Sequence, residues 1–352
     1  MKFGPTLNRL QWLTLLLALV FSGSGCGSNK PVLNVFTWSE YFDPTFIQAF
    51  EKEFGCVVRL DYYEDPESMM AKLAAGGASS YDIVVPSDTT LPPMVQRGLL
   101  APLRQENIPN LRNIEPQFRD APYDPGSQYS APMDWGTTGI YLRSTNGTVP
   151  EASWKIVFES GKQAGSFLLM EDARACIGAA LKFKGYSANS TNATELAAAR
   201  ELLIGAKNRS IGFEGGTGCK NRVLSRGAAM AVCYSGDGLR GMKEDAETQY
   251  LIPKEGTQIF VDLLSIPAQA PHRELAEKFI NFCLDARNAA QFANAAHYAS
   301  PNQAAKPYLD MKDLSNPLIY PPAEIMERLE FVRDLGPANQ LFDELWTQVK
   351  AK

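Results

Sequence analysis

The chain has 352 residues, of which 45% are hydrophobic and 21% are charged, and its formal net charge is −5. This apolar content excludes a disordered polypeptide, and the length favours two lobes, because chains beyond about 250–300 residues rarely build a single core. The acidic balance and the lack of a basic stripe exclude nucleic acid as the main partner and suit a cationic ligand better.

Residues 1–26 are predicted to be a signal peptide, because two basic residues precede the apolar stretch 10–21 and small residues follow it. The stretch is shorter than the ~20 residues of a membrane-spanning helix, so we expect an exported protein without a permanent span. The ending S-G-S-G-C resembles a lipobox, although Gly23 stands where leucine is usual. Lipidation of Cys26 and ordinary cleavage both remain open.

Five cysteines follow this segment: Cys56, Cys176, Cys219, Cys233 and Cys283. An exported protein can oxidise cysteine pairs, and Cys219 and Cys233 are the nearest pair in sequence. The connectivity is not readable from the sequence, and the odd number leaves at least one thiol outside an internal disulfide.

The first elements alternate between strand and helix, with strands at 32–38, 57–62 and 82–86 and helices at 44–54 and 66–75. Asp43 and Pro44 are typical of a helix start, and Gly55 of a helix end. Crossovers of this length predict a parallel sheet with helices on both faces, a doubly wound α/β lobe. Such sheets bind ligands beyond the carboxyl ends of their strands.

The segment 129–141 mixes proline, glycine and aromatic residues, which suits a crossing between lobes. Beyond it the patterns predict strands at 167–170, 228–234 and 259–266, and helices at 171–183, 195–206, 273–284, 289–296, 323–335 and 338–350. The sequence S-G-D-G at 235–238 is predicted to be a turn.

Rings, a hydroxyl group and acids follow two of the early strands. Trp38 and Tyr41 lie at the end of the first strand, and Ser87 and Asp88 at the end of the third. If these strands are neighbours, all four side chains face one crevice, where rings beside carboxylates suit an ammonium group. Trp38 is equally typical of a core residue, so both interpretations remain open.

Two aspartates carry the strongest acidic signals. Asp262 lies in the apolar strand I-F-V-D-L-L-S-I without a basic neighbour, so it needs a partner, which is either a structural hydrogen bond or the amine of a ligand. Asp172 opens a helix and is either its N-cap or a site residue. The other candidates are three rings that end or flank strands and are equally typical of the core, Tyr234, Phe260 and Tyr298, and two weaker acids, Asp237 and Asp134.

Enzyme chemistry finds little support in the sequence. His272 and His297 are the only histidines and have no metal-ligand spacing, and no nucleophile elbow, P-loop or dinucleotide fingerprint is present. We therefore predict no enzyme, no cofactor and no metal. A hydrolase that uses two carboxylates is the alternative outside the binding class.

Six ordered motifs carry a family resemblance over nearly the whole chain after the signal segment. They are F-T-W-S-E-Y at 36–41, Y-D-I-V-V-P-S at 81–87, Y-S-A-P-M-D-W-G-T-T-G-I at 129–140, L-L-M-E-D-A-R at 168–174, P-K-E-G-T-Q-I-F-V-D at 253–262 and H-Y-A-S-P-N at 297–302. Together they resemble the polyamine-binding (spermidine/putrescine-binding) proteins of bacterial ABC importers.

The resemblance implies a type II periplasmic-binding-protein fold, with two doubly wound α/β lobes and a ligand cleft between them. Lobe 1 would comprise 30–136 plus 260–308, and lobe 2 would comprise 140–256 plus 312–352. A periplasmic monomer, free or anchored through a lipidated Cys26, would capture putrescine or spermidine and deliver it to a permease in the inner membrane.

Carried over by position, the resemblance implies that Trp38 and Tyr41 contact the aliphatic chain and amines, and that Ser87 contacts an amine end. Asp172 and Asp262 would hold ammonium groups, and Tyr298 would line the cleft.

The motifs also depart from the family pattern. Thr89 stands where the family has a tyrosine, Ala175 where it has a glutamate, and Tyr234 and Phe260 replace two tryptophans. Asp88 and Asp237 are candidates to compensate for the lost acid. The preferred polyamine is therefore not predicted, and another small amine or an amino acid derivative remains an alternative. A zwitterion would need a fixed cation, and Arg174 is the only basic residue predicted beside the site.

Overall fold

The computed structural model describes residues 1, 30–144, 147–163 and 165–352. The chain divides into two units, Met1–Pro31 and Val32–Lys352, and every helix and strand below belongs to the second. The predicted signal peptide, apart from Met1, and its Cys26 lie outside the described residues. None of the helices in the described ranges has the length and apolar character needed to cross a membrane.

Eleven strands are present in the described part of the chain: β1 (Val32–Trp38), β2 (Val57–Tyr63), β3 (Ile83–Val84), β4 (Leu100–Ala101), β5 (Ser130–Arg143), β6 (Phe167–Met170), β7 (Phe213–Glu214), β8 (Met230–Tyr234), β9 (Thr248–Leu251), β10 (Gln258–Pro267) and β11 (Glu330–Phe331). The α-helices are α1 (Pro44–Phe54), α2 (Pro66–Ala74), α3 (Leu91–Gln96), α4 (Pro116–Arg119), α5 (Lys155–Phe158), α6 (Ala173–Phe183), α7 (Ala193–Lys207), α8 (Gly216–Leu224), α9 (Ser235–Glu244), α10 (Arg273–Cys283), α11 (Ala286–Ala296), α12 (Met311–Leu314), α13 (Ala323–Met326) and α14 (Asn339–Ala351).

The first helix and the strands around it fold as their local signals predict. Asp43 caps α1 by accepting a hydrogen bond from the Thr45 N–H at 2.7 Å, with Pro44 in the first turn. Gly55 ends the helix with φ 64°, a left-handed conformation that favours glycine. β1 then pairs in parallel with β2 on one side and β3 on the other, so the first and third strands are neighbours, which is the condition for a shared crevice at their ends.

The centre of the sheet differs from the predicted parallel arrangement. The strand order is β2-β1-β3-β10-β5-β8-β6-β7, and β10 runs antiparallel to both β3 and β5. β5 is a strand of 14 residues that pairs with β10 in its first half and with β8 in its second. The segment expected to be a crossing therefore passes between the two parts of the sheet as one continuous strand.

Two local predictions are wrong. Residues 235–238 begin helix α9 rather than a turn, and their glycines allow close packing, because a Cβ on Gly236 would clash with the Tyr298 ring. The helix predicted at 323–335 ends at Met326, after which Glu330 and Val332 donate backbone hydrogen bonds to Thr257 and Ile259. Pairing with β10 replaces the helical hydrogen bonds there.

Two large hydrophobic clusters flank this sheet. The first packs α1 and α10 against β1, β3 and β10, and the second packs α6, α7 and α14 against β6 and β8. The lobe boundaries given above remain a prediction. Cys219 and Cys233 are both buried free thiols, so no disulfide joins this pair.

Candidate functional site

Eleven of the twelve candidate residues line one pocket. They are Trp38, Tyr41, Ser87, Asp88, Thr89, Asp172, Tyr234, Asp237, Phe260, Asp262 and Tyr298. Asp134, the twelfth, does not line it. The pocket lies where β1, β3, β6 and β8 end, and β5 and β10 cross it with Thr138, Phe260 and Asp262. Its position agrees with the rule that open α/β sheets bind ligands beyond the carboxyl ends of their strands.

Asp172 forms one acidic corner of the pocket. Its Oδ1 accepts the Ala175 N–H at 2.7 Å and so caps α6, while its Oδ2 accepts the Tyr234 hydroxyl at 2.6 Å. The two interpretations of this residue are therefore compatible, because one oxygen caps the helix and the other faces the pocket wall.

Asp262 forms a second acidic corner with Tyr41 and Asp134. Tyr41 donates its hydroxyl hydrogen bond to Asp262, and the same hydroxyl oxygen lies 3.5 Å from Asp134 Oδ1. Burial raises the pKa of Asp262 to about 7, and the hydrogen bond from Tyr41 opposes that rise. Asp262 thus has a neutral structural partner but no cation hydrogen-bonded to it.

Asp88 is a third buried carboxylate, only 1% exposed. Its backbone N–H donates to Val261, yet neither side-chain oxygen has a hydrogen-bond partner in the described part of the chain. Burial, and next the charge of Asp262, raises its pKa well above the ordinary value. Beside it Ser87 and Thr89 share a hydroxyl hydrogen bond of 3.1 Å.

Aromatic rings form the remaining walls. Tyr234 and Phe260 meet edge to face with ring centroids 4.7 Å apart, and Tyr298 lies 5.8 Å from both Phe260 and Tyr41. Trp38 is half-buried and packs on Tyr63, so it combines the core and pocket interpretations. Such surfaces cover methylene groups and attract cations to their faces.

Asp237 differs from the other acids because it already has a cation. Arg240 Nη2 lies 2.5 Å from its Oδ1, and Thr217 donates to the same oxygen at 3.1 Å. The expectation that Arg174 is the only basic residue beside the site is wrong, since Arg240 also lines the pocket. The turn predicted at 235–238 hides Arg240, whereas in helix α9 Asp237 and Arg240 are neighbours at i, i+3.

The lining is strongly acidic overall. Sequence reasoning also missed Glu64, which accepts a hydrogen bond from Ser39 at the pocket mouth. The lining contains five carboxylates and two guanidinium groups, a formal excess of three negative charges. Arg174 donates hydrogen bonds to Asn189 and Asn339, and its charge opposes the rise in the pKa of Asp88. Across the described residues, no group of three or more metal-ligating side chains is arranged to hold a metal ion.

The fold and pocket define a small-solute-binding protein, and comparison with known proteins agrees. The family model described as bacterial extracellular solute-binding protein matches residues 45–317. The chain is 30% identical to the putrescine/cadaverine-binding protein of Pseudomonas aeruginosa, covering 96% of this chain and 99% of that one. It is 31% identical to the spermidine/putrescine-binding periplasmic protein of Escherichia coli, covering 95% and 96%.

A solved structure gives the same result. The putative spermidine/putrescine ABC transporter from Listeria monocytogenes superposes with a TM-score of 0.83 at 33% identity, covering 92% of this chain and 99% of that one. The chain therefore belongs to the bacterial extracellular solute-binding proteins. The predicted periplasmic-binding-protein fold and the family resemblance read from the six motifs are both confirmed.

Proposed function

We propose that the protein captures a polyamine, putrescine or spermidine, in the pocket described above and delivers it unchanged to the permease of an ABC importer. One observation carries the proposal: the buried carboxylates of Asp88 and Asp262 border the pocket without a cation hydrogen-bonded to either. A buried carboxylate needs a partner, and an ammonium group supplies both charge and hydrogen bonds. The names of the relatives support the same ligand class.

The charge and shape of the lining support a ligand with more than one positive charge. The formal excess of three negative charges suits a dication or trication. Asp172 and Asp262 lie on different elements of the wall, with Tyr234, Phe260 and Tyr298 between them to cover methylene groups. A neutral sugar would leave these acids unpaired, and a zwitterion would meet guanidinium groups that already have partners.

Capture would proceed by closure of the two predicted lobes over the ligand, as in other two-lobed binding proteins. In this proposal the exported chain works as a monomer in the periplasm, either free or anchored through a lipidated Cys26. It has no catalytic step, so the ligand leaves the pocket unchanged.

The test is a calorimetric titration of residues 27–352, which contain the whole compact unit Val32–Lys352. Putrescine, cadaverine, spermidine and spermine are the ligands, with γ-aminobutyrate and 1,4-butanediol as zwitterionic and neutral controls. We expect one-to-one binding of at least one polyamine and none of the controls. Preference for γ-aminobutyrate would replace the polyamine proposal with the amino acid alternative.

A further inference from the structure

A pair of aspartates lies at the Asp262 corner of the pocket. Asp134 and Asp262 are directly opposite each other in the antiparallel register of β5 and β10. Opposite residues of such a pair project from the same face of the sheet, with their Cβ atoms roughly 5 Å apart. Asp134 is completely buried and Asp262 is 3% exposed. Tyr41 is near both carboxyl groups, so the three side chains form one cluster.

This cluster has no cation of its own. The tyrosines that face it are Tyr63, Tyr234 and Tyr298, and the charged groups that face it are Asp88, Asp172 and Arg240. Arg240 is the one basic group among them, and its two terminal nitrogens donate to Asp237 and to the Ala296 carbonyl. In the described part of the chain Asp134 Oδ2 has no hydrogen-bond partner.

Two buried acids this close together rarely ionise at the same time. Burial first, and then the charge of Asp262, raises the pKa of Asp134 well above its ordinary value. The empty pocket therefore retains a proton on the pair near neutral pH. Asp262 faces the pocket directly, and the unpartnered Asp88 carboxylate lies in the same wall.

We propose that Asp134 and Asp262 act as one proton-sharing recognition unit, and that an ammonium group of the ligand displaces the shared proton when it binds. The inference rests on the proposed polyamine function and adds Asp134 as a second acid behind the pocket wall. The carboxyl O–H bond breaks, its proton passes to solvent, and the ammonium group keeps all of its hydrogens. The charge of the cluster is then balanced by a proton in the empty pocket and by the ligand in the filled one.

The experiment is calorimetry with putrescine, because its alkylammonium groups, like that of lysine with a pKa of about 10.4, stay charged across the tested range. Binding enthalpies are measured in three buffers of different ionisation enthalpy, at pH 6 and at pH 8.5. The slope against buffer ionisation enthalpy counts the released protons. We expect about one proton at pH 6 and almost none at pH 8.5, with affinity falling roughly tenfold for each pH unit below 7.

Two variants locate the proton. Asp134→Asn should reduce the release at pH 6 by at least half, since an amide in that position donates a hydrogen bond to Asp262 and favours its ionised form. The matched control is Glu64→Gln, which removes an acid of the pocket lining that does not face the cluster. It should lower affinity while keeping most of the release.

The outcomes separate the two claims. Tight putrescine binding by the wild-type chain without proton release at pH 6 overturns this inference and leaves the proposed function intact. Unchanged release in a folded Asp134→Asn variant removes Asp134 from the unit. Absence of binding by every polyamine overturns the proposed function and this inference together. The wild-type buffer series remains decisive even if Asp134→Asn does not fold.

Discussion

Asp262→Asn should make the empty protein more stable and at the same time unable to bind a polyamine. Burial raises the pKa of Asp262 to about 7 in the folded state, whereas an aspartate in an unfolded chain titrates near 4. A raised carboxyl pKa means that the ionised form destabilises the fold. The contribution of Asp262 to stability is therefore most favourable below the unfolded pKa and is lost as the pH rises through the folded pKa.

The size of the effect follows from the difference between the two pKa values. At about 1.4 kcal/mol per pKa unit, the ionised Asp262 costs about 4 kcal/mol of unfolding free energy at pH 8 and about 1.5 kcal/mol at pH 5. Asparagine has nearly the same shape and no charge to bury, and its oxygen still accepts the Tyr41 hydroxyl hydrogen bond. The variant should recover most of that cost at pH 8 and much less at pH 5.

Urea unfolding followed by circular dichroism at both pH values measures this difference. Asp120→Asn, on the exposed surface, is the control and should stay within about 0.5 kcal/mol of wild type. Putrescine should stabilise the wild-type protein and leave Asp262→Asn unchanged. An Asp262→Asn protein that is less stable than wild type at pH 8 would refute the reasoning, because Asp262 would then be a satisfied structural acid.

Three further predictions concern the pocket walls and the ion pairs beside them. Trp38→Ala should weaken polyamine binding by about 1–2 kcal/mol in calorimetry while the protein folds, whereas an unfolded product would support a purely structural Trp38. Gly236→Ala should lower polyamine affinity at least tenfold, because the added Cβ would clash with the Tyr298 ring of the pocket wall. Alanine usually stabilises a helix by about 1 kcal/mol relative to glycine, so helix propensity does not predict this loss. Wild-type affinity in the variant would contradict the close packing. Glu40→Gln should cost about 1–3 kcal/mol of unfolding free energy in urea, since the buried Lys220 loses its ion pair of 2.7 Å, and an unchanged value would show that Glu244 alone suffices.

Most of the site was predictable because its residues follow strands whose patterns are local. Trp38, Tyr41, Ser87 and Asp88 each come just after a β-branched apolar run, and the neighbouring parallel strands bring them to one edge. Asp262 was predictable because it is an acid inside an otherwise apolar strand.

Other features were missed because they depend on distant segments. Arg240 required the correct helix at 235–244, whose glycines pack against rings from elsewhere in the fold. Asp134 was a weak candidate in the sequence, and only the β5–β10 register places it opposite Asp262. The antiparallel direction of β10 likewise depends on how the chain returns to the sheet.

The sequence by itself determined the elements near the start of the fold, the acidic and aromatic character of the pocket, and the family. Periodicity, helix caps and strand-end residues act over a few neighbouring positions, so they can be read without the fold. Only the tertiary structure decided which acids have a cation as a partner. Asp237 has Arg240, whereas in the described part of the chain neither side-chain oxygen of Asp88 has a hydrogen-bond partner, and Asp134 and Asp262 meet at the hydroxyl group of Tyr41. Charge pairing depends on distance in space, and residues from separate strands acquire that distance only when the sheet has formed.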